Sequence, residues 1–439
     1  MTTSATPDRT EVGNYFVATY PPFSVWTQDA VPAHAVPVLA APPTDVPLGL
    51  YLHIPFCRKR CHFCYFRVYT DKNASEVQSY LDVVAREWEL YNEQRAITGR
   101  PLNFVYFGGG TPSYISTKQL ESLVKRMDAV SSWRSAEEIT FECEPGTLSE
   151  SKIAAIRGIG VTRLSLGIEN FDDHILEVNG RAHRSAEIGQ AYAFARFLDF
   201  PEINIDLIAG MMDETDANWM DCVSRTIDMA PDSVTIYQME LPFNTTISRN
   251  LLAGSSAANG GAVADWPTKR RWVREAFEAL EQAGYTLGSA YTAVRNPLTK
   301  FVYRDRLWQG ADMVGLGVAP FGFVSGVHMQ NLDTFEDYCS RLQEGKLPLS
   351  RALKPSRDER LIRELVLQFK LGSIQPSYFK TKYGVDVERR FEDEFAGLRD
   401  EGILDVGKDR VALTRDGLLR VDSLLPRFFK PEHRAVRYT

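Results

Sequence analysis

Cys57, Cys61 and Cys64 fall within eight residues in a C-x3-C-x2-C arrangement, and thiolates are the usual protein ligands of iron–sulfur clusters. Four ligands normally close a [4Fe-4S] site, so a cluster held by these three leaves one iron open to an exogenous ligand. A zinc site would want a fourth Cys or His at suitable spacing. His62 is the nearest candidate, but between Cys61 and Cys64 its geometry is poor. The spacing points to a cluster. Cys143, Cys222 and Cys339 read as buried or neutral thiols, and a reducing compartment argues against a disulfide framework.

Such a site needs a scaffold. From Gly49 onward, short apolar β-rich runs alternate with longer amphipathic segments, the pattern of βα units around a parallel sheet. Strands are expected at 49–54, 103–107, 138–142, 162–166, 203–207 and 233–237. Helices are expected at 75–94, with an apolar stripe of Val77, Tyr80, Leu81, Val84, Trp88 and Leu90, and at 117–129. Six units predict an α/β fold, a partial or complete (β/α) barrel, with its chemistry at the C-terminal ends of the strands.

Residues 1–48 carry many prolines, from Pro21 to Pro47, and read as an extended N-terminal segment. The barrel with its extension should then occupy 49–354, with a boundary near Lys354-Pro355-Ser356. The Gly-, Ser- and Ala-rich stretch 253–264 reads as a flexible surface insertion. Residues 355–439 should form a small helical, winged-helix-like domain. Its elements are one helix lined by Leu361, Leu365 and Phe369, another by Phe391, Phe395 and Leu398, a hairpin over 403–413, and a last helix from Thr414 through Leu425.

With 44% hydrophobic and 24% charged residues in 439, the chain has the composition of a soluble globular protein. A net charge of -7 gives no general attraction to nucleic acid. The basic groups Arg357, Arg360, Arg363 and Lys269, Arg270, Arg271 have acidic neighbours and read as solvated helix faces. Neither a secretory signal nor a membrane span is apparent, so a cytoplasmic location is expected.

The run Tyr51-Leu-His-Ile-Pro55-Phe56-Cys57-x3-Cys61-x-Phe63-Cys64 resembles the signature of the radical S-adenosylmethionine (SAM) superfamily, in particular oxygen-independent coproporphyrinogen III oxidases and their relatives. The resemblance extends from about residue 14 to 430. It implies that SAM chelates the open iron and is cleaved, on receiving an electron, to a 5′-deoxyadenosyl radical. It also implies a small-molecule substrate and a reducing donor such as flavodoxin or ferredoxin.

Gly108-Gly109-Gly110-Thr111-Pro112 resembles the family's SAM loop, where backbone without side chains can approach the methionine moiety closely. Glu142, Arg181 and Asp206 fall at positions that bind SAM in the family. The family's oxidases bind two SAM molecules, and the second site is matched by Phe63, Gly110, Thr111, Glu169, Arg181, Asp206, Met239 and Phe321.

Two departures stand out. Phe66 occupies the place of a further cysteine in the oxidases, and Glu169 that of a glutamine. Relatives lacking the extra cysteine include heme chaperones and class C radical SAM methyltransferases. The expectation is therefore C-methylation or related alkyl transfer to an unsaturated or aromatic acceptor. The alternatives are oxidative decarboxylation of a tetrapyrrole propionate in porphyrin biosynthesis, or heme delivery with His53, His62 or His328 as axial ligands.

Overall fold

The computed structural model describes residues 19–241, 245–247 and 263–434. Six strands follow the expected order: β1 (Leu48–Ile54), β2 (Leu102–Gly109), β3 (Glu138–Cys143), β4 (Arg163–Glu169), β5 (Glu202–Ala209) and β6 (Ser233–Gln238). All pair in parallel with their sequence neighbours. Their residues are buried almost continuously, as a sheet covered on both faces requires.

The crossover helices Ala74–Asn92 and Thr117–Val130 begin at capping boxes, Asn73 with Glu76 and Ser116 with Gln119, each satisfying two otherwise orphaned backbone donors. Val77, Tyr80, Leu81, Val84 and Trp88 are buried against the sheet.

The sheet continues past both ends of the expected set through β7 (Thr286–Leu287), β8 (Thr292–Val294), β9 (Asp312–Leu316), β10 (Phe321–Val324), β11 (Val327–Asn331) and β12 (Leu349–Leu353). The order is β12-β11-β10-β9-β1-β2-β3-β4-β5-β6-β8-β7, an open sheet and so a partial barrel. Only β9 of these additions is parallel to its barrel neighbour, pairing with β1. These strands are two to five residues long, which is why hydropathy alone passes over them.

Two expectations need correction. Within the proline-rich N-terminal segment, Val31–Ala40 is helical; Pro32 and Pro37 sit in the first turns of its two parts, where a missing N–H costs nothing. The basic groups are solvated only in part: Arg357 and Arg271 are exposed. Arg363 is 1% exposed with its guanidinium 4.4 Å above the Phe323 ring, and Lys269 and Arg270 are also buried. Lys269 Nζ donates to the Met239 carbonyl at 2.8 Å. The stretch 253–264 lies outside the described residues apart from its last two positions.

The C-terminal elements include Arg357–Phe369, Glu392–Asp400 and the antiparallel pair Leu404–Val406 and Val411–Leu413, joined by a third short strand, Ser373–Ile374. They share a hydrophobic cluster separate from that of the sheet, and Tyr20 and Ala290 enter it. The expected last helix is broken at Arg420 into Arg415–Leu419 and Val421–Leu424.

Candidate active site

At the end of β1 the chain leaves the sheet through Pro55 and Phe56 into the cysteine loop. Backbone bonds between Cys57 and Tyr69 pin that loop: Cys57 N donates to Tyr69 O at 3.1 Å, and Tyr69 N donates to Pro55 O at 2.8 Å. Midway, His62 N donates to Asn179 O at 3.0 Å. The glycine loop after β2 docks on the same segment, with Gly110 N donating to Ile54 O and Thr111 N to Phe56 O, each at 2.9 Å. A Cβ on Gly110 would stand 3.0 Å from Cys57 Sγ, so glycine is what lets the loop lie against the thiol.

Two donors aim at the sulfurs. Thr111 Oγ1 donates to Cys57 Sγ at 3.3 Å, and Arg181 Nη1 to Cys61 Sγ at 3.4 Å. Burial raises the Cys57 thiol to about 12 and the Cys64 thiol to about 11. Ligation to iron must therefore release protons, and the donors are placed to bond the resulting thiolates.

Among the described residues no three His, Cys, Asp or Glu side chains converge closely enough to grip one metal ion. Three soft thiolates, two sulfur-directed donors and a Cβ-free cradle fit a [4Fe-4S] cluster.

Every site residue expected from the sequence faces one cavity of about 620 Å³: Tyr51, Cys57, Cys61, Phe63, Cys64, Gly109, Gly110, Thr111, Glu142, Glu169, Arg181, Asp206, Met239 and Phe321. This is the size range of small-molecule sites, and it lies at the C-terminal ends of the parallel strands.

The acids within it are tuned by burial, which raises Glu142 and Glu169 to about 7 and pushes Asp206 above its ordinary range. Asp206 is held by Ser165 Oγ at 2.8 Å and Asn204 Nδ2 at 2.9 Å. Glu169 sits 3.6 Å from Arg181 at φ 64°, a left-handed conformation that a non-glycine residue adopts only at a cost. It falls at a register shift between β4 and β5, where the bulge turns its side chain into the cavity.

The sequence reading missed Tyr106, Tyr303, Arg304, Trp308, Arg363 and Lys370, which also line the cavity. Tyr106 lies two residues before the glycine run and could have been found by its strand register. Arg363 and Lys370 come from beyond residue 355 and reach the cavity only through tertiary packing. The three histidines are engaged in the fold. His53 Nδ1 lies 3.3 Å from the Tyr51 hydroxyl, His62 Nδ1 2.9 Å from Val178 O, and His328 Nε2 3.0 Å from Tyr20 O.

Comparison with known proteins agrees. Residues 51–225 match the radical SAM superfamily. The oxygen-independent coproporphyrinogen III oxidase of Synechocystis sp. is 26% identical over 390 residues, covering 85% of this chain and 80% of that one. The heme chaperone HemW of Bacillus subtilis is 26% identical over 377 residues, covering 84% and 96%. The solved coproporphyrinogen III oxidase (HemN) of Escherichia coli superposes with a TM-score of 0.81 at 23% identity, over 94% of this chain and 96% of that one. No described helix is long and apolar enough to cross a membrane. The chain thus carries a radical SAM domain, with a [4Fe-4S] cluster and SAM as its cofactors, in the fold of coproporphyrinogen III oxidase.

Proposed function

We propose that the protein is a radical SAM oxidoreductase that takes hydrogen from a carboxylate-bearing substrate of the tetrapyrrole class. One observation carries the reading. The cavity that holds the SAM-position residues is also lined by the aromatic rings of Tyr303, Trp308 and Phe323 and by the cations Arg304, Arg363 and Lys370. Aromatic faces suit pyrrole rings, and guanidinium forks suit carboxylates. The names of the two curated relatives above, an oxidase and a heme chaperone, share that chemistry.

The cluster and SAM, when bound, supply a one-electron cleavage that yields a 5′-deoxyadenosyl radical. The chain's own residues bind and orient. Arg181 holds the Cys61 sulfur and the Gly167 carbonyl, the latter at 2.6 Å, so it ties the cysteine loop to β4. Glu142, Glu169 and Asp206 offer acceptors for ribose hydroxyls or an ammonium group. With Phe63, Met239 and Phe321 they provide for two SAM molecules in the one cavity. A protein reductant such as flavodoxin or ferredoxin supplies the electron.

Anaerobic incubation of the reconstituted enzyme with SAM, reductant and coproporphyrinogen III should release carbon dioxide together with 5′-deoxyadenosine. A Soret band on adding heme, with no carbon dioxide release, would replace oxidation by heme delivery.

A second reading, alkyl transfer from the second SAM to an unsaturated or aromatic acceptor, is favoured by Phe66 in place of a cysteine and by the carboxylate of Glu169. The comparisons above give it no direct support. S-adenosylhomocysteine formed together with 5′-deoxyadenosine would establish it, and turnover without S-adenosylhomocysteine would dismiss it.

A further inference from the structure

A Cβ on Gly108, the first glycine of the loop, would meet Tyr106 Cε1 at 2.8 Å, Glu142 Oε2 at 3.1 Å and Tyr51 Cε2 at 3.1 Å. Two phenols and a carboxylate therefore converge over the loop assigned to SAM. The Tyr106 hydroxyl donates to Glu142 Oε1 at 2.6 Å. Its ring packs against Tyr51 at a centroid distance of 5.8 Å and against Tyr303 at 4.3 Å.

The far side of this stack is built with care. The buried Glu138 carboxylate accepts from Val302 N at 2.7 Å and Tyr303 N at 3.2 Å, fixing the start of the helix Val302–Trp308. Arg163 lies 4.1 Å above the neighbouring Phe301 ring. Burial holds all three phenols well above their ordinary titration range, so their O–H bonds are intact at any working pH.

Packing alone would be served as well by phenylalanine. What packing does not explain is a hydroxyl aimed at a cavity carboxylate beside the loop where a carbon radical is to form. A phenolic O–H bond is weaker than the C–H bond a primary carbon radical makes, so hydrogen passes downhill from phenol to such a radical.

We infer that Tyr106 is a hydrogen-atom donor that quenches the carbon radical when no acceptor fills the cavity. The inference rests on the radical reading above. The Tyr106 O–H bond breaks and a C–H bond forms at the 5′ carbon, giving 5′-deoxyadenosine and a phenoxyl radical on Tyr106. One electron from the same reductant that drives SAM cleavage, with one proton from water by way of Glu142, restores the phenol. The flanking rings of Tyr51 and Tyr303 shield the phenoxyl meanwhile.

The test uses the full cluster-loaded chain in D2O with SAM and dithionite and no acceptor. The 5′-deoxyadenosine released should carry one solvent deuterium. Tyr106→Phe, which keeps the ring stack, should lose that deuterium, whereas Tyr192→Phe, at a phenol outside the cavity whose hydroxyl donates to the Met229 carbonyl, should retain it. Rapid-freeze EPR should show a phenoxyl signal that narrows when the chain is grown on ring-deuterated tyrosine and that is missing from Tyr106→Phe. Deuterium persisting in Tyr106→Phe, or none in the unaltered chain, overturns the inference. Failure to form any 5′-deoxyadenosine instead overturns the radical reading on which it stands, and takes the inference with it.

Discussion

Arg181 donates to the Cys61 sulfur at 3.4 Å although the two residues are 120 positions apart in sequence. The same guanidinium bonds Gly167 O at 2.6 Å and lies 3.6 Å from Glu169. One largely buried cation therefore links the cluster loop, a strand end and a cavity acid.

A hydrogen bond to a charged group is worth about 1.5–3 kcal/mol, so Arg181→Gln should lower iron retention and weaken SAM binding about tenfold or more. Arg181→Lys should not rescue it, because a single ammonium cannot reach both partners as the fork does. Iron analysis and calorimetric titration with SAM check both variants.

Gly109 has φ 114°, and a Cβ there would stand 2.6 Å from His53 Nδ1. Gly109→Ala should cost about 1–3 kcal/mol in strain and displace the loop, with loss of SAM binding. Gly99, at φ 72° with nothing within 4 Å of its would-be Cβ, is the control. Its alanine variant should show a small drop in melting temperature and unchanged SAM affinity.

Glu87 is fully buried and accepts from the Tyr338 hydroxyl at 2.6 Å, Asn331 Nδ2 at 2.7 Å and Gly317 N at 2.8 Å. It thereby fixes the turn leading to Phe321. Burial raises its carboxyl to about 8 from the ordinary 4.5. The folded chain then holds a proton that the unfolded chain has lost, so this group's contribution to stability falls as pH rises from about 4.5 to about 8 and is level outside that window. Glu87→Gln should remove this part of the slope, read as melting temperature between pH 5 and 8.

Much of this was legible in advance. C-x3-C-x2-C, the glycine run and the order of the six parallel strands are local patterns, set by ligand spacing and by two-residue or 3.6-residue periodicity. Val31–Ala40 was misread because prolines suit an extended chain and a first helical turn equally well. Arg363 was misread because helical spacing shows which residues share a face, not whether another module covers it. The aromatic and cationic lining added to the cavity comes from the helix Val302–Trp308, β10 and the C-terminal elements, a convergence that no single stretch of sequence displays.

Glu169 stands where the oxidases have a neutral amide, and burial raises it to about 7. Below that pH it is a neutral acid; above it, an anion that only accepts hydrogen bonds. SAM affinity should therefore strengthen as pH rises through about 7, and Glu169→Gln should flatten the profile. Any slope left in that variant belongs to Glu142, raised to the same region. Calorimetry from pH 6 to 8 decides.

Anaerobic reconstitution of the intact chain, followed by iron, sulfide and nucleoside analysis after adding SAM and dithionite, tests the central claim most directly. The account predicts four irons and four sulfides per chain with release of 5′-deoxyadenosine, and loss of both in Cys57→Ala, Cys61→Ala or Cys64→Ala. A chain that binds no cluster, or a full cluster that leaves SAM uncleaved, would contradict it.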